Sequence, residues 1–434
     1  MSRRVVITGL GLISPLGNSP EKLGSALTEG KSGVGPLSTI NPTGLPTPFG
    51  AEAREFTGSI DDFGPLEKTL GRNIKKNLKV MCREIQMGVA VAQLAVTHAG
   101  LQLDQVDRDR FGVLYGSDYM LTLPQEFTSG IRNCLDEQGK FQFTRWAEKG
   151  LPAVEPLWLL KYLPNLPASH VAIFNDLHGP NNSLTVREAS SNLALAEAYH
   201  TIVRGHADQM IAGATGTRVH PARTLHVVLQ EEIAQGSDPT RLSRPFDADR
   251  NGLVLGEGAA AMILEEFETA KARGATILGE VIGYGSSAVA DKSGAGVTRT
   301  AVFNVLKQAL QTSGLKPDDV GHLNAHGLST RAMDMHEAQA IAEVFGSRAR
   351  PLPTVAAKSY FGNLGAAGGL VEAIASLLAL REGKLFGTLN YETPDPQCPV
   401  SIAQAGTSAG ENFINVNVTP QGQASAIVIK RFAA

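Results

Sequence analysis

The chain has 434 residues, of which 43% are hydrophobic, and it carries 46 glycines and a formal net charge of −3. This length predicts two or three domains or one large duplicated core, and the composition fits a soluble α/β protein. The weak charge and the lack of a basic run argue against nucleic-acid binding. No stretch approaches the roughly 20 apolar residues that would span a bilayer.

The N-terminal stretch MSRRVVITGLGLISPLG contains two arginines and a short apolar run that glycines interrupt. This pattern predicts a first buried strand and turn instead of a signal peptide. The only cysteines, Cys82, Cys134 and Cys398, are far apart and show neither disulfide nor metal-ligand spacing. We therefore expect three ordinary thiols, no metal site, and a location in a reducing cytoplasm.

Strands and helices are predicted to alternate along the chain, which favours mainly parallel sheets covered by helices. One predicted helix places apolar residues at i, i+3, i+4, i+7 and i+8 between 302 and 310. The other predicted helices cover 84–99, 189–204, 338–345 and 370–380. Predicted strands cover 5–9, 111–115, 183–186, 209–212, 261–264, 277–282 and 426–430, and two more end in HLNAH and TVAAK.

An internal echo indicates a duplicated architecture. Residues 98–117 and 312–329 both contain a helix end, then Gly-Leu-x-x-Asp-x-Val, then a strand that runs into a glycine turn. The echo predicts two similar halves, residues 1–265 and 266–434. The first half carries a long insertion near residues 118–175.

The stretch SLTVREASSNLALAEAY, residues 183–199, predicts a strand, a sharp turn and a helix. Many enzymes hold a nucleophile at such a turn, because the unpaired N–H groups of the helix N-terminus face developing negative charge. The residue at this turn is Glu188. A carboxylate fits a helix N-terminus, and Arg187 or Lys358 is expected to balance its charge.

Several longer motifs converge on one family. The stretches SRPFDADRNGLVLGEGAAAMILEE (243–266), NAHGLSTRAMDMHEAQAI (324–341) and AAKSYFGNLGAAGGLVEAI (356–374) are distinctive, as are GPNNSLTVREASS and the N-terminal VVITGLGLISPLG. Together they resemble the β-ketoacyl-acyl carrier protein synthase family, in order and over essentially the whole chain. The resemblance implies the thiolase fold, a duplicated five-layer αβαβα arrangement. It also implies a dimer whose interface lies beside the active sites.

The resemblance implies a site that only partly matches the family's set of one Cys, two His and one Lys. The first His matches His326 and the Lys matches Lys358. The Cys position is occupied by Glu188 and the second His position by Asn363. The polar supports after the first His match Asp334 and Glu337. The resemblance implies no cofactor.

The C-terminal region also departs from the family. Relatives carry a Gly-Phe-Gly-Gly loop that gates the acyl pocket, whereas residues 415–425 read NVNVTPQGQAS. The nucleophile, the second His and the gate are therefore all altered. His326 has an alternative interpretation as a hydrogen-bonded core residue, and Asn363 one as a polar residue that fills the pocket. The charged stretch 131–150 is predicted to be a solvated face, near a partner or carrier protein.

The substituted set leads to three hypotheses. The first is a condensation-inactive subunit that resembles chain-length factors of polyketide synthases, pairs with a Cys-containing ketosynthase paralogue and works with an acyl carrier protein. The second is an enzyme in its own right, in which Glu188 and His326 serve malonyl decarboxylation or thioester hydrolysis. The third is a homodimeric acyl-binding or scaffold protein.

Overall fold

A computed structural model describes residues 3–433. They form twelve strands: β1 (Val5–Ile13), β2 (Gly35–Pro36), β3 (Phe49–Gly50), β4 (Phe111–Ser117), β5 (Asn181–Leu184), β6 (Gln209–Thr217), β7 (Glu257–Glu266), β8 (Gly279–Ala288), β9 (His322–Asn324), β10 (Thr354–Val355), β11 (Asn412–Val418) and β12 (Gln423–Lys430).

The same residues form twelve α-helices, which cover the strands. The helices are α1 (Pro20–Glu29), α2 (Lys68–Asn77), α3 (Arg83–His98), α4 (Thr128–Asn133), α5 (Leu166–Asn175), α6 (Ser190–Val203), α7 (Pro221–Gln230), α8 (Phe267–Ala272), α9 (Thr298–Ser313), α10 (Arg331–Phe345), α11 (Lys358–Phe361) and α12 (Gly368–Glu382).

Ten strands form one sheet in the order β10-β9-β11-β12-β8-β1-β7-β6-β4-β5. Strands β1, β4, β5, β6 and β7 of the N-terminal half repeat the arrangement of β8, β9, β10, β11 and β12. In both sets the second strand in sequence pairs in parallel with the third and fourth, and the fifth pairs antiparallel with the fourth and first. The predicted duplication is therefore confirmed. Antiparallel pairing of β1 with β8 joins the two sets.

The helices complete five layers. Helices α6 and α12 pack against strands of both halves, while α3 covers the outer face of the first half and α9 with α10 that of the second. Three apolar clusters fill the central layer and the two outer ones. The echo segments lie at equivalent places, directly before β4 and β9. The αβαβα prediction is confirmed, and the division at 265/266 stays a prediction.

The expectation of mainly parallel sheets is wrong, because five of the nine strand pairings are antiparallel. The alternation of apolar segments did not reveal strand direction. Strands β11 and β12 follow one another through a short turn with no helix between them, so they pair as a hairpin. No helix within residues 3–433 is long and apolar enough to cross a membrane.

Candidate active site

Three parallel neighbours, β5, β4 and β6, end at one edge of the sheet. Because parallel strands point the same way, the residues that follow their carboxyl ends are brought together. Asp118 comes directly after β4, Arg218 directly after β6, and Glu188 four residues after β5. These three side chains form the centre of a buried charged site.

Glu188 lies in a single 3-10 turn, Arg187–Ala189, that leads into α6. The turn is sharp: Arg187 has a φ of 48°, and the Val186 N–H donates to Ser190 Oγ over 2.7 Å. The start of α6 also lies against β4, where a Cβ atom at Gly116 would meet the Ser190 backbone at 2.8 Å. The predicted strand–turn–helix geometry is therefore present, and Glu188 is buried with 1% exposure.

The Glu188 carboxylate is held by positive charge and by an amide. Its Oε1 accepts hydrogen bonds from the Arg218 guanidinium and, over 3.1 Å, from Asn363 Nδ2. Arg187 Nε lies 3.4 Å from Oε2. Burial acts to raise the pKa of Glu188, but the charges of Arg218 and Arg187 outweigh it and hold that pKa well below its usual range.

Further ion pairs extend this cluster and balance its charge. Asp118 lies 2.7 Å from Arg218 Nη1 and 3.1 Å from Arg223 Nη1. Arg187 Nη2 reaches Glu231 Oε1 over 2.6 Å. Three guanidinium groups therefore face the carboxylates of Glu188, Asp118 and Glu231. Such matching is needed because an unpaired charge in the interior is strongly unfavourable.

Lys358 does not pair with Glu188, and that expectation is wrong. Its ammonium group pairs with Glu372 on α12, and Nζ lies 3.2 Å from Nδ1 of His326. Asn417 on β11 donates to Glu372 Oε2 over 2.8 Å. Burial raises the pKa of Glu372, against the opposing effect of the Lys358 charge. Lys358 is therefore satisfied within the second half of the fold.

His326 is a neutral imidazole with a defined tautomer. Burial, followed by the charge of Lys358, lowers its pKa well below the usual value. Nδ1 lies 3.2 Å from Lys358 Nζ and 3.3 Å from Asn417 Nδ2, which are both donors, so Nδ1 accepts and the proton is on Nε2. Nε2 is buried and has no hydrogen-bond partner.

Asp334 and Glu337 hold the backbone that carries His326. Glu337 accepts the N–H groups of residues 326 and 327 over 2.7 and 2.8 Å, and Asp334 accepts those of 328 and 329 over 2.9 and 3.1 Å. Burial raises the pKa of Asp334 to about 6 and that of Glu337 to about 8. Both residues therefore support the turn after β9 and make no listed bond to the imidazole ring.

Asn363 connects the two halves of the site. Its Nδ2 donates to Glu188, and its Oδ1 accepts the Gly365 N–H over 3.0 Å. Both ends of the amide are thus occupied, as the pocket-filling interpretation predicts. The stretch 415–425 forms the β11–β12 hairpin, and its Asn415 and Asn417 are buried in the site.

No cysteine is among the hydrogen-bond or ion-pair partners of Glu188 or His326 within residues 3–433. Cys82, Cys134 and Cys398 are all free thiols. Burial raises the pKa of Cys398 to about 12 and that of Cys82 still further. Because the thiolate is the nucleophilic form, burial makes both side chains unreactive near neutral pH. Across the described part of the chain, no group of three or more His, Cys, Asp or Glu residues is arranged to bind a metal ion.

Sequence reasoning missed several residues that define the site. Their common signal is position, since Asp118 and Arg218 directly follow strands, but the pairing depends on β4 lying beside β6. Glu372 and Asn417 come from elements that the resemblance did not associate with Lys358. The missed residues are Asp118, Arg218, Arg223, Glu231, Glu372 and Asn417.

Comparison with known families agrees with this fold and site. Residues 2–270 match the sequence profile "Beta-ketoacyl synthase, N-terminal domain", and residues 278–392 match "Beta-ketoacyl synthase, C-terminal domain". The chain belongs to the beta-ketoacyl synthase family. Its relatives include 3-oxoacyl-(acyl-carrier-protein) synthase 2 of Synechocystis sp., 33% identical over 94% of this chain and 92% of the relative. The protein of the same name from Coxiella burnetii is 34% identical over 92% and 91%.

Solved structures of similar proteins cover almost the whole chain. The ishigamide ketosynthase/chain length factor matches with a TM-score of 0.84 at 26% identity, over 100% of both chains. A beta-ketoacyl synthase from Burkholderia phymatum matches with a TM-score of 0.83 at 28% identity, over 99% of this chain and 100% of the other. The thiolase-like ketosynthase fold is thus shared along the full length of this family member.

Removal of Arg218 tests the charge balance of the site. Arg218→Met leaves Glu188 without its main partner, and we expect a loss of roughly 3–5 kcal/mol in the free energy of unfolding. The double variant Arg218→Met/Glu188→Gln should recover part of this loss, because it removes the uncompensated charge. Urea unfolding of the four proteins in the cycle measures the coupling.

The matched control is Arg241→Met, which breaks an exposed ion pair with Glu392, 2.6 Å long. Exposed pairs contribute about 1 kcal/mol or less, so this variant should stay close to wild type. A double variant whose loss equals the sum of the two single losses would contradict the proposed pairing of Arg218 with Glu188.

The lowered pKa of Glu188 predicts a pH dependence with a definite sign. A carboxyl whose pKa is lower in the folded state stabilises the fold above its unfolded pKa, near 4.5, and loses that effect as the pH falls. Wild type should therefore lose stability more steeply than Glu188→Gln below about pH 4.5. Unfolding free energies at several pH values measure this. Parallel pH profiles for the two proteins would show that Glu188 is not held ionised.

Proposed function

We propose that the chain is a condensation-inactive, chain-length-factor-like subunit that partners an active ketosynthase in fatty acid or polyketide biosynthesis. The observation that supports this is the condition of position 188, where the family resemblance places the nucleophilic cysteine. Glu188 is buried, ionised and bonded to Arg218 and Asn363. Its side chain fills the elbow and leaves the carboxylate charge neutralised.

The chemistry of Glu188 supports the inactive interpretation. An ionised carboxylate that two guanidinium groups stabilise is a weak nucleophile towards a thioester. It is also a poor general base, since efficient bases have a pKa near the working pH, whereas the pKa of Glu188 lies well below its usual range. Asn363 at the second His position has no group that titrates near neutral pH. Both substituted positions therefore lack what condensation requires.

One observation favours the alternative of malonyl decarboxylation or thioester hydrolysis. The Nε2–H of His326 is buried and unpartnered, so it is free to donate to a substrate oxygen. A preorganised donor of this kind stabilises developing negative charge. In this alternative, His326 stabilises the charge that develops in the reaction while Glu188 contributes at most an electrostatic effect.

The surface supports a partner subunit. Strand β5 is an edge strand of the ten-stranded sheet, and unpaired edges invite pairing with another chain. Exposed apolar side chains are concentrated between β4 and β5 and on α7, where Phe143, Ile173 and Leu229 are 76%, 72% and 74% exposed. Similarity to the ishigamide ketosynthase/chain length factor supports a ketosynthase paralogue as the partner. We propose an acyl carrier protein as the second partner and the cytoplasm as the location.

The proposed inactivity predicts that wild-type protein forms no acyl-enzyme. Intact mass should be unchanged after incubation with acyl-carrier protein. Glu188→Cys should give at most slow self-acylation and no ketoacyl product, because Asn363 and the 415–425 hairpin remain. Product from acyl and malonyl carrier protein measures this. A stoichiometric acyl adduct on wild type, or turnover by Glu188→Cys within tenfold of an ordinary ketosynthase, would overturn the proposal.

The exposed apolar surface predicts that the chain is never a stable monomer. Obligate interfaces bury roughly 2,000 Å² or more, and we expect a 1:1 complex with a co-expressed ketosynthase to form in preference to the homodimer. Light scattering at micromolar concentration measures the assembly. A homodimer without turnover that ignores the paralogue would favour the scaffold hypothesis, and a monodisperse monomer would contradict the partner role.

A further inference from the structure

A cavity of about 330 Å³ lies beside the N-terminus of α3, outside the Glu188 site. Apolar side chains make up much of its wall, including Met81, Leu121, Leu123 and Val219. The volume is at the lower end of the range for small-molecule sites and corresponds to roughly eleven water molecules. We refer to it as the α3 cavity.

Most polar groups that line the α3 cavity are already paired. Arg83 reaches Glu257 over 2.8 Å. Glu126 accepts hydrogen bonds from Lys161 and Tyr162, each over 3.0 Å. These groups form the polar part of the wall and need no ligand.

Glu84 is different because it lines the cavity with an unsatisfied oxygen. The side chain is 4% exposed, and Oε1 is buried with no hydrogen-bond partner. Burial raises the pKa of Glu84 to about 7, so both protonation states are present near neutral pH. A buried carboxyl oxygen without a partner is unfavourable and calls for a bound donor.

His220 supplies the complementary group. Its Nδ1 accepts the N–H groups of Ala222 and Arg223 over 3.2 and 3.3 Å, as the N-cap of α7, so the ring proton is on Nε2. Burial, followed by the Arg223 charge, lowers the pKa of His220 to about 4 and keeps the ring neutral. The Leu121 carbonyl opposes this shift but does not form a hydrogen bond with Nε2, which is buried without a partner.

We propose that the α3 cavity binds a neutral, mainly apolar molecule that carries a hydroxyl group. A hydroxyl group can donate to a carboxylate oxygen and accept from an N–H group, so it suits both Glu84 and His220. A carboxylate cannot donate to Glu84 and meets its negative charge. An ammonium group cannot accept from His220. This site is independent of whether Glu188 can be acylated.

Isothermal titration calorimetry of the full chain at pH 7 with 1-octanol, octanoate and octylamine tests the head-group preference. We expect 1-octanol to bind at least tenfold more tightly than the two charged probes. Glu84→Leu should weaken 1-octanol binding about tenfold, the value of one net hydrogen bond. His220→Asn, which keeps a helix-capping residue, should also weaken it.

Two tryptophan variants locate the binding. Leu121→Trp fills the cavity and should abolish 1-octanol binding, while Leu225→Trp, at an exposed position of α7 (52% exposed), should leave it unchanged. Equal or tighter binding of octanoate or octylamine would overturn the proposed ligand class. Binding that survives in Leu121→Trp, or no binding of any probe, would overturn the site.

Discussion

The ion pair between Glu188 and Arg218 is the interaction on which the rest of the candidate site depends. Both side chains are 1% exposed, so neither charge can be balanced by water. Removing either partner from a buried pair leaves an uncompensated charge, and here Asp118, Arg223, Arg187 and Glu231 complete the balance. A carboxylate at the elbow is therefore one part of an interdependent set of substitutions.

The duplicated fold explains why two polar networks meet at this place. Strand ends of the first half supply Glu188, Asp118 and Arg218, and those of the second half supply His326 and Lys358. Asn363 is the link, since it hydrogen-bonds Glu188 from the loop that precedes α12. The second network keeps the imidazole neutral, with its one free N–H buried. The first holds a carboxylate ionised. The two halves thus preserve the geometry of the family while their chemistry differs.

The sequence alone predicted the duplication, the elbow and the positions of His326, Lys358 and Asn363, because these lie on contiguous motifs. It did not predict which charges pair. Arg218 and Asp118 are distant in sequence and become partners only because β4 and β6 are adjacent. Lys358 was assigned to Glu188 because no local pattern identified Glu372, one helix further along. Strand direction was also lost, since a hairpin such as β11–β12 has the same apolar pattern as two parallel strands.

Release of CO₂ from malonyl-carrier protein tests most directly whether the elbow has lost its chemistry. The account predicts that purified wild type, Glu188→Gln and His326→Ala all release CO₂ at the uncatalysed rate. Wild-type turnover that falls 100-fold or more in Glu188→Gln, the size of a typical acid–base contribution, would contradict it. That outcome would show that Glu188 acts in a reaction and does not simply fill the site.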